Sequence, residues 1–349
     1  MRSNTSITLK MCNGYSIRSA VAVLVFSVMF CQLSAAKPEE VYQIVESTRL
    51  RDYNDITFFV RMPKGISLED SVGQARRGDV KVRGVLAICN WSGDADEAKK
   101  NITEGGRFPH FAKFADEHNL ALVTWTNFKG YKTGVSGDEM DRGEYKQYDR
   151  DFDQRAREWR TGFRRLCRRY NLPEKNVLLY GLSGGGQMGH RLVLRMPEYF
   201  FAVHVHVNSS YDQIKRDGNQ ILWLVTTGTQ EFGYPAGVRF YRDALDAGYH
   251  MIFRAEENLG HSDSPDTRRT GMAFFEYCLQ FLPDASDTDW RPPPVDRFYL
   301  MRHPAYIGDY LNSEAFPADV APKYMAPEVM VALPTKAIAE AWGTVLELE

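Results

Sequence analysis

The chain has 349 residues, of which 44% are hydrophobic and 25% charged, fractions that suit a folded globular protein and exclude a disordered or fibrous one. The length allows one large α/β domain or two small ones. A formal net charge of -2 gives no basic footprint for nucleic acid, and pairs such as Arg164-Arg165 and Arg168-Arg169 sit in a helical pattern that also carries acids.

The first 36 residues read as a targeting segment. Arg2, Lys10 and Arg18 make a positive start, and Ala20 to Leu33 is an uncharged, mostly apolar run of 14 residues. That is the length of a signal-peptide core and short for a membrane span. Ser34-Ala35-Ala36 supplies small residues for cleavage, so the mature chain is expected to begin near Lys37 and to be secreted or periplasmic. No later stretch is long and apolar enough to cross a bilayer. Cys12 and Cys31 leave with the signal; Cys89, Cys167 and Cys278 lie in apolar periodic segments and are expected to be buried free thiols.

Beyond the signal, strand-like and helix-like segments alternate. Val41 to Glu46 and Ile56 to Arg61 read as opening strands, followed by the apolar run Gly84 to Cys89. Phe108 to His118 has helical spacing, and Leu120 to Trp125 is the next strand. Asn127 to Arg150 reads as a long loop carrying Phe128, Tyr131, Tyr145 and Tyr148. Phe152, Ala156, Trp159, Phe163, Leu166 and Tyr170 recur at steps of three or four, which marks an amphipathic helix. Val177 to Tyr180 is a strand and Gly185 to Met196 a helix. Ala202 to Val207 and Ile221 to Thr227 read as strands, Ala236 to Ala247 as a helix, His250 to Ala255 as the last strand and Gly271 to Leu282 as the last helix. The strands are continuous apolar runs, as in a parallel sheet covered on both faces. One domain, 37–283, accounts for them. From Asp284 onward the chain is rich in Pro, Tyr and Met. Residues 284–349 read as an extension packed on that domain, ending in a helical Thr335 to Leu348, because so short a stretch cannot build a sizeable core.

The sharpest chemical signal is Gly181-Leu182-Ser183-Gly184-Gly185-Gly186, between the strand Val177 to Tyr180 and a helix. Small residues on either side of a serine admit strained backbone angles at a tight strand-to-helix turn, which holds the hydroxyl out at the carboxyl edge of a sheet. The helix start behind it favours developing negative charge. A phosphate loop would need Lys and Ser or Thr at the helix start, where Gln187-Met188 stand. Ser183 is therefore expected to be a nucleophile. It needs a base, and His261, in Gly260-His261-Ser262 after the last strand, is the histidine placed in a loop of the right order.

With these residues in place, the chain resembles the α/β-hydrolase superfamily, in its esterase and prolyl-oligopeptidase-like branch, over most of Gly84 to Leu282. The resemblance implies a mostly parallel sheet with helices on both faces. It also implies an acid after the strand that ends in Thr227. There the family often has Gly-Thr-x-Asp followed by a helix-opening Pro. This chain carries Gly228, Thr229, Glu231 and Pro235, so Glu231 takes the acid's place, with Asp212 as the alternative. The resemblance further implies an oxyanion hole, assigned to the backbone N–H groups of Gly184 and Trp91. The implied activity is carboxylic ester hydrolysis through a Ser-His-Glu triad and an acyl-enzyme, with no cofactor, and with small-molecule or polymer-borne esters as substrates. Alternatives are a prolyl-oligopeptidase-like peptidase and a non-catalytic binding module. Only 13 residues, Asn208 to Gln220, separate two core strands at the usual site of a lid, so no large cap domain is expected.

Two further patterns stand out. His204 and His206 alternate on one strand and share a face, but no third ligand at a diagnostic spacing accompanies them, so no metal site is expected. Asn90, Asn101 and Asn208 each open an Asn-x-Ser/Thr glycosylation acceptor.

Overall fold

The computed structural model describes residues 41–46, 56–68, 82–126, 142–283, 296–323 and 325–347. The targeting segment and most of the aromatic loop after Trp125 lie outside the described residues. Among them, no helix is long and apolar enough to cross a membrane.

An antiparallel pair, β1 (Val41–Glu46) and β2 (Ile56–Arg61), opens the domain. Then come β3 (Gly84–Cys89), α1 (Ala95–Lys100), α2 (Pro109–Glu117) and β4 (Leu120–Trp125). The next helix, α3, spans Arg142–Tyr170. Residues 142–150, expected in the loop, are thus its first turns. These turns are rich in charge and carry little of the apolar periodicity that marks an amphipathic helix in a sequence.

The second half runs β5 (Val177–Leu182), α4 (Gly184–Arg195), β6 (Phe200–His206), β7 (Leu222–Gly228), α5 (Tyr234–Asp246), β8 (His250–Glu256) and α6 (Pro265–Leu279). The connection from β6 to β7 holds only a 3-10 turn, Arg216–Gln220, where a parallel crossover commonly carries an α-helix.

The eight strands form one sheet in the order β1-β2-β4-β3-β5-β6-β7-β8. β2 runs against its neighbours, and β3 through β8 are mutually parallel. Strands β3 and β4 are buried along their whole length, as are β6 and β7. This is why they read as unbroken apolar runs. Helices cover both faces: a Cβ built on Gly186 of α4 would meet Val205, and one on Gly271 of α6 would meet His204, the neighbour of Val205 on β6.

After α7 (Arg297–Arg302) the extension forms a small sheet of its own. Strands β9 (Tyr306–Asp309), β10 (Glu314–Pro317), β11 (Met330–Leu333) and β12 (Thr344–Val345) take the order β11-β9-β10-β12. Helix α8 (Lys336–Trp342) is shorter than the helix expected from Thr335 to Leu348. It packs against α6. Trp342 is fully buried and its Nε1–H donates to the Phe253 carbonyl at 2.8 Å. The Thr270 hydroxyl and the Arg254 guanidinium both donate to the Ala341 carbonyl, at 2.8 and 3.1 Å. Tyr241 donates to the Met330 carbonyl at 2.8 Å. Cys89, Cys167 and Cys278 are buried and free, and burial pushes all three thiols up in pKa, so they stay protonated and unreactive.

Candidate active site

Three connections from the carboxyl edge of the sheet carry the site. Ser183 stands between β5 and α4 with φ 55 and ψ -124, a conformation that costs energy for any non-glycine residue. Its backbone N–H donates to the His206 carbonyl at 2.9 Å, and its carbonyl accepts from Gln187 at 3.0 Å as α4 begins. The flanking glycines are required by space. A Cβ on Gly181 would fall 2.4 Å from the Gly185 carbonyl oxygen, and one on Gly185 would fall 2.3 Å from that of Cys89. So tight a turn leaves the Ser183 side chain projecting over the edge of the sheet.

The loop after β7 carries Glu231, and the loop after β8 carries His261. Backbone bonds join the two: Thr229 N–H donates to Glu256 O at 2.9 Å and Gln230 N–H to Leu259 O at 3.0 Å. This junction brings the two side chains together. His261 Nδ1 lies 2.8 Å from Glu231 Oε2, and His261 Nε2 lies 2.7 Å from Ser183 Oγ. The Glu231 carboxylate is fully buried and the His261 ring is 41% exposed. The second oxygen of Glu231 accepts from the Gly233 backbone N–H at 3.3 Å. A buried carboxylate can accept but not donate. It therefore selects the tautomer with the proton on Nδ1 and leaves Nε2 with a lone pair toward the serine hydroxyl.

Asp212, the alternative acid, is engaged elsewhere. Its Oδ2 accepts from Arg191 Nε at 2.8 Å and from Arg195 at 3.0 Å. Burial alone would raise its pKa, but Arg191, His190 and Arg195 outweigh that and hold it low. The sequence could not separate the two acids, because β6 and β7 both deliver a carboxylate to the same sheet edge.

Gly184 is the first residue of α4, so its N–H points outward at a helix start where intrahelical partners are lacking. Trp91 follows the end of β3 in a turn set by Asn90. The Asn90 amide donates to the Ser92 carbonyl at 2.7 Å, and its oxygen accepts from Asn101 at 3.3 Å. This turn lies against α4: a Cβ on Gly185 would stand 3.9 Å from Trp91 N. The Trp91 side chain is 47% exposed, and Phe232 is 75% exposed and stacks against His261 with ring centroids 5.9 Å apart. Phe232 was not singled out in the sequence. Its place between Glu231 and Gly233 was the available signal. Among the described residues, Trp91 and Phe232 are exposed aromatic rings at this edge; Phe128 and Tyr131 lie outside the described residues.

The three Asn-x-Ser/Thr patterns fall inside the fold. Asn90, Asn101 and Asn208 are all buried, and their amides are used in hydrogen bonds within the fold, so none can present its nitrogen for modification. His204 and His206 are buried and bonded to Thr226. No group of three or more metal-ligating side chains occurs among the described residues.

No family model and no curated protein sequence matches the chain. Solved structures similar to it include a ferulic acid esterase, at 15% identity over 65% of this chain and 93% of that one, with a TM-score of 0.43. An S-formylglutathione hydrolase from Staphylococcus aureus matches at 12% identity over 70% of this chain and 96% of that one, TM-score 0.42. A dipeptidyl peptidase 4 from Porphyromonas gingivalis matches at 11% identity over 72% of this chain, TM-score 0.45; the match spans 36% of that protein. The chain's own topology decides the fold. A sheet ordered 1-2-4-3-5-6-7-8 with β2 reversed, a strained serine turn after β5, and Ser183, Glu231 and His261 in that chain order make this chain an α/β-hydrolase in fold.

Proposed function

We propose that this chain is an exported serine hydrolase acting on carboxylic esters. The observation that carries the reading is the unbroken hydrogen-bond line from buried Glu231 through His261 to Ser183, at 2.8 and 2.7 Å. Ser183 Oγ attacks the ester carbonyl while His261 Nε2 takes its proton. Glu231 keeps the other ring nitrogen protonated and stabilises the imidazolium that forms. The developing oxyanion faces the N–H groups of Gly184 and Trp91. His261 then returns the proton to the departing alcohol, leaving an acyl-serine, and repeats the cycle with water as nucleophile.

The exposed rings of Phe232 and Trp91 favour substrates with a bulky or aromatic group beside the scissile bond. The short connection from β6 to β7 leaves no cap domain at that point, which suits esters carried on large molecules. Export follows from the apolar, small-residue segment before Lys37. The test is a panel of p-nitrophenyl esters and aminoacyl amides, run with Ser183→Ala as control and with fluorophosphonate labelling of the wild type. Ester turnover and labelling confined to Ser183 are expected. Amide turnover without ester turnover would favour the peptidase, and no labelling at all a binding module.

A further inference from the structure

Beside the triad lies a chain of buried polar groups. His206, the last residue of β6, is fully buried. Its Nε2 lies 3.1 Å from the Ser262 carbonyl oxygen. A carbonyl can only accept, so Nε2 carries a proton. Its Nδ1 lies 2.8 Å from Thr226 Oγ1 and 3.3 Å from the Thr226 carbonyl oxygen. Burial drives the ring's pKa down to about 4 against the opposing pull of Asp263, which favours a neutral ring; the nearer carbonyl, that of Ser262, then takes the one ring proton and Nδ1 faces the Thr226 hydroxyl as acceptor. The Thr226 hydroxyl must donate to it. His204 Nε2, 2.8 Å from the same hydroxyl, must therefore donate in turn. The run of donors that satisfies these short contacts is His204 to Thr226 to His206 to Ser262.

The two ends of His206 touch both halves of the proposed catalytic pair. Its backbone carbonyl accepts from the Ser183 N–H at 2.9 Å, inside the nucleophile turn. Its imidazole holds the carbonyl of Ser262, next in chain to His261. Immediately after it, Val207 has φ 42 and its N–H is bonded to Thr226 O at 2.9 Å. That conformation is unfavourable for a β-branched residue. The strain is accepted at the point where β6 must end for these contacts to form.

We propose that His206 is a positioning residue that sets the Ser183–His261 separation by tying the serine turn to the histidine loop, with Thr226 and His204 fixing its tautomer. This rests on the hydrolase reading above. His206 never touches substrate. Its loss would let the exposed His261 loop drift from Ser183, and a displacement on the order of 1 Å in such a pair is worth about 10²-fold in rate.

The experiment compares His206→Leu, His206→Gln and Thr226→Val in the full chain. Each is assayed for kcat and KM on a p-nitrophenyl ester and for fluorophosphonate labelling rate, normalised to folded protein by circular dichroism. Gln can place an amide N–H near the position of His Nε2; Leu cannot. His206→Leu is expected to lose about 10²-fold in kcat and in labelling rate with KM little changed, and Gln to recover most of both. Thr226→Val keeps His206 but removes its proton donor, and is expected to lose about tenfold, of the order of one hydrogen bond; it decides the matter if Leu does not fold. A folded Leu variant with wild-type kcat overturns the positioning role, as does a Gln variant as slow as Leu, or a Thr226→Val of wild-type rate when Leu does not fold. Wild-type protein that fluorophosphonate does not label overturns the hydrolase reading itself, a distinguishable result.

Discussion

Exchanging the two acids near β6 and β7 for amides separates rate from stability. Glu231→Gln keeps the shape of the side chain but offers an amide where His261 Nδ1–H needs an acceptor that cannot donate. The ring is free to take the other tautomer, and turnover is expected to fall by roughly four orders of magnitude. Asp212→Asn should leave kcat nearly intact and cost stability instead. Its buried carboxylate serves two arginines at 2.8 and 3.0 Å, and removing one partner of such a pair typically costs about 3–5 kcal/mol. Arg195 keeps a second partner in Asp153 at 2.7 Å, which argues for the lower end, about 3 kcal/mol. For a domain of this size that is a fall of roughly 5 °C in Tm. Steady-state ester hydrolysis at 15 °C and differential scanning calorimetry read the two effects. A Glu231→Gln enzyme within tenfold of wild type, or an Asp212→Asn enzyme of normal Tm and lost kcat, would refute the assignment of the acid.

Ser183→Ala should abolish ester turnover and fluorophosphonate labelling with an unchanged circular dichroism spectrum; residual activity of a tenth would rule Ser183 out. Gly185→Ala should be destabilising by about 3 kcal/mol or more in urea titrations, because its Cβ would fall 2.3 Å from a backbone oxygen with no flexible neighbour to yield. Acid should weaken the fold. Burial lowers His190 and His206 from 6.5 to about 4, so the unfolded chain binds protons first as pH falls. Stability is full above pH 6.5 and is lost as pH drops toward about 4, by about 3 kcal/mol per histidine, a change that urea midpoints at pH 7 and pH 5 would detect as a clear decline. Phe232→Ala should raise KM for aryl esters more than for acetyl esters, and equal effects on both would count against a role in substrate choice.

The core strands were legible because a parallel sheet buried on both faces writes itself as unbroken apolar runs. The serine turn is legible because glycines flank the serine between a strand and a helix; the Gly185 carbonyl demands Gly181 from within the turn, while Gly185 itself is demanded by Cys89 on another strand. Glu231 was named through a family pattern, and its separation from Asp212 needed coordinates: both follow core strands, and only the arginines of α4 show which one is already engaged. In the sequence, His206 poses only a metal question, through its alternation with His204. Its contact with Ser262 spans 56 positions, and no local pattern carries such a pairing. The small sheet of the extension escaped for a different reason. Its longest strands have four residues, too few for a period of two to show.

That small sheet bears on how the larger one keeps to itself. β8 ends the order of the main sheet, and a terminal strand presents backbone groups on which another chain can build. Here the Trp342 indole occupies the Phe253 carbonyl, and β11 and α8 lie against β8 and α6. The described residues of the extension thus cover part of that edge. Weakening the extension's hold, for example with Trp342→Ala, is expected to raise self-association during refolding relative to the wild type under the same conditions, as read by light scattering.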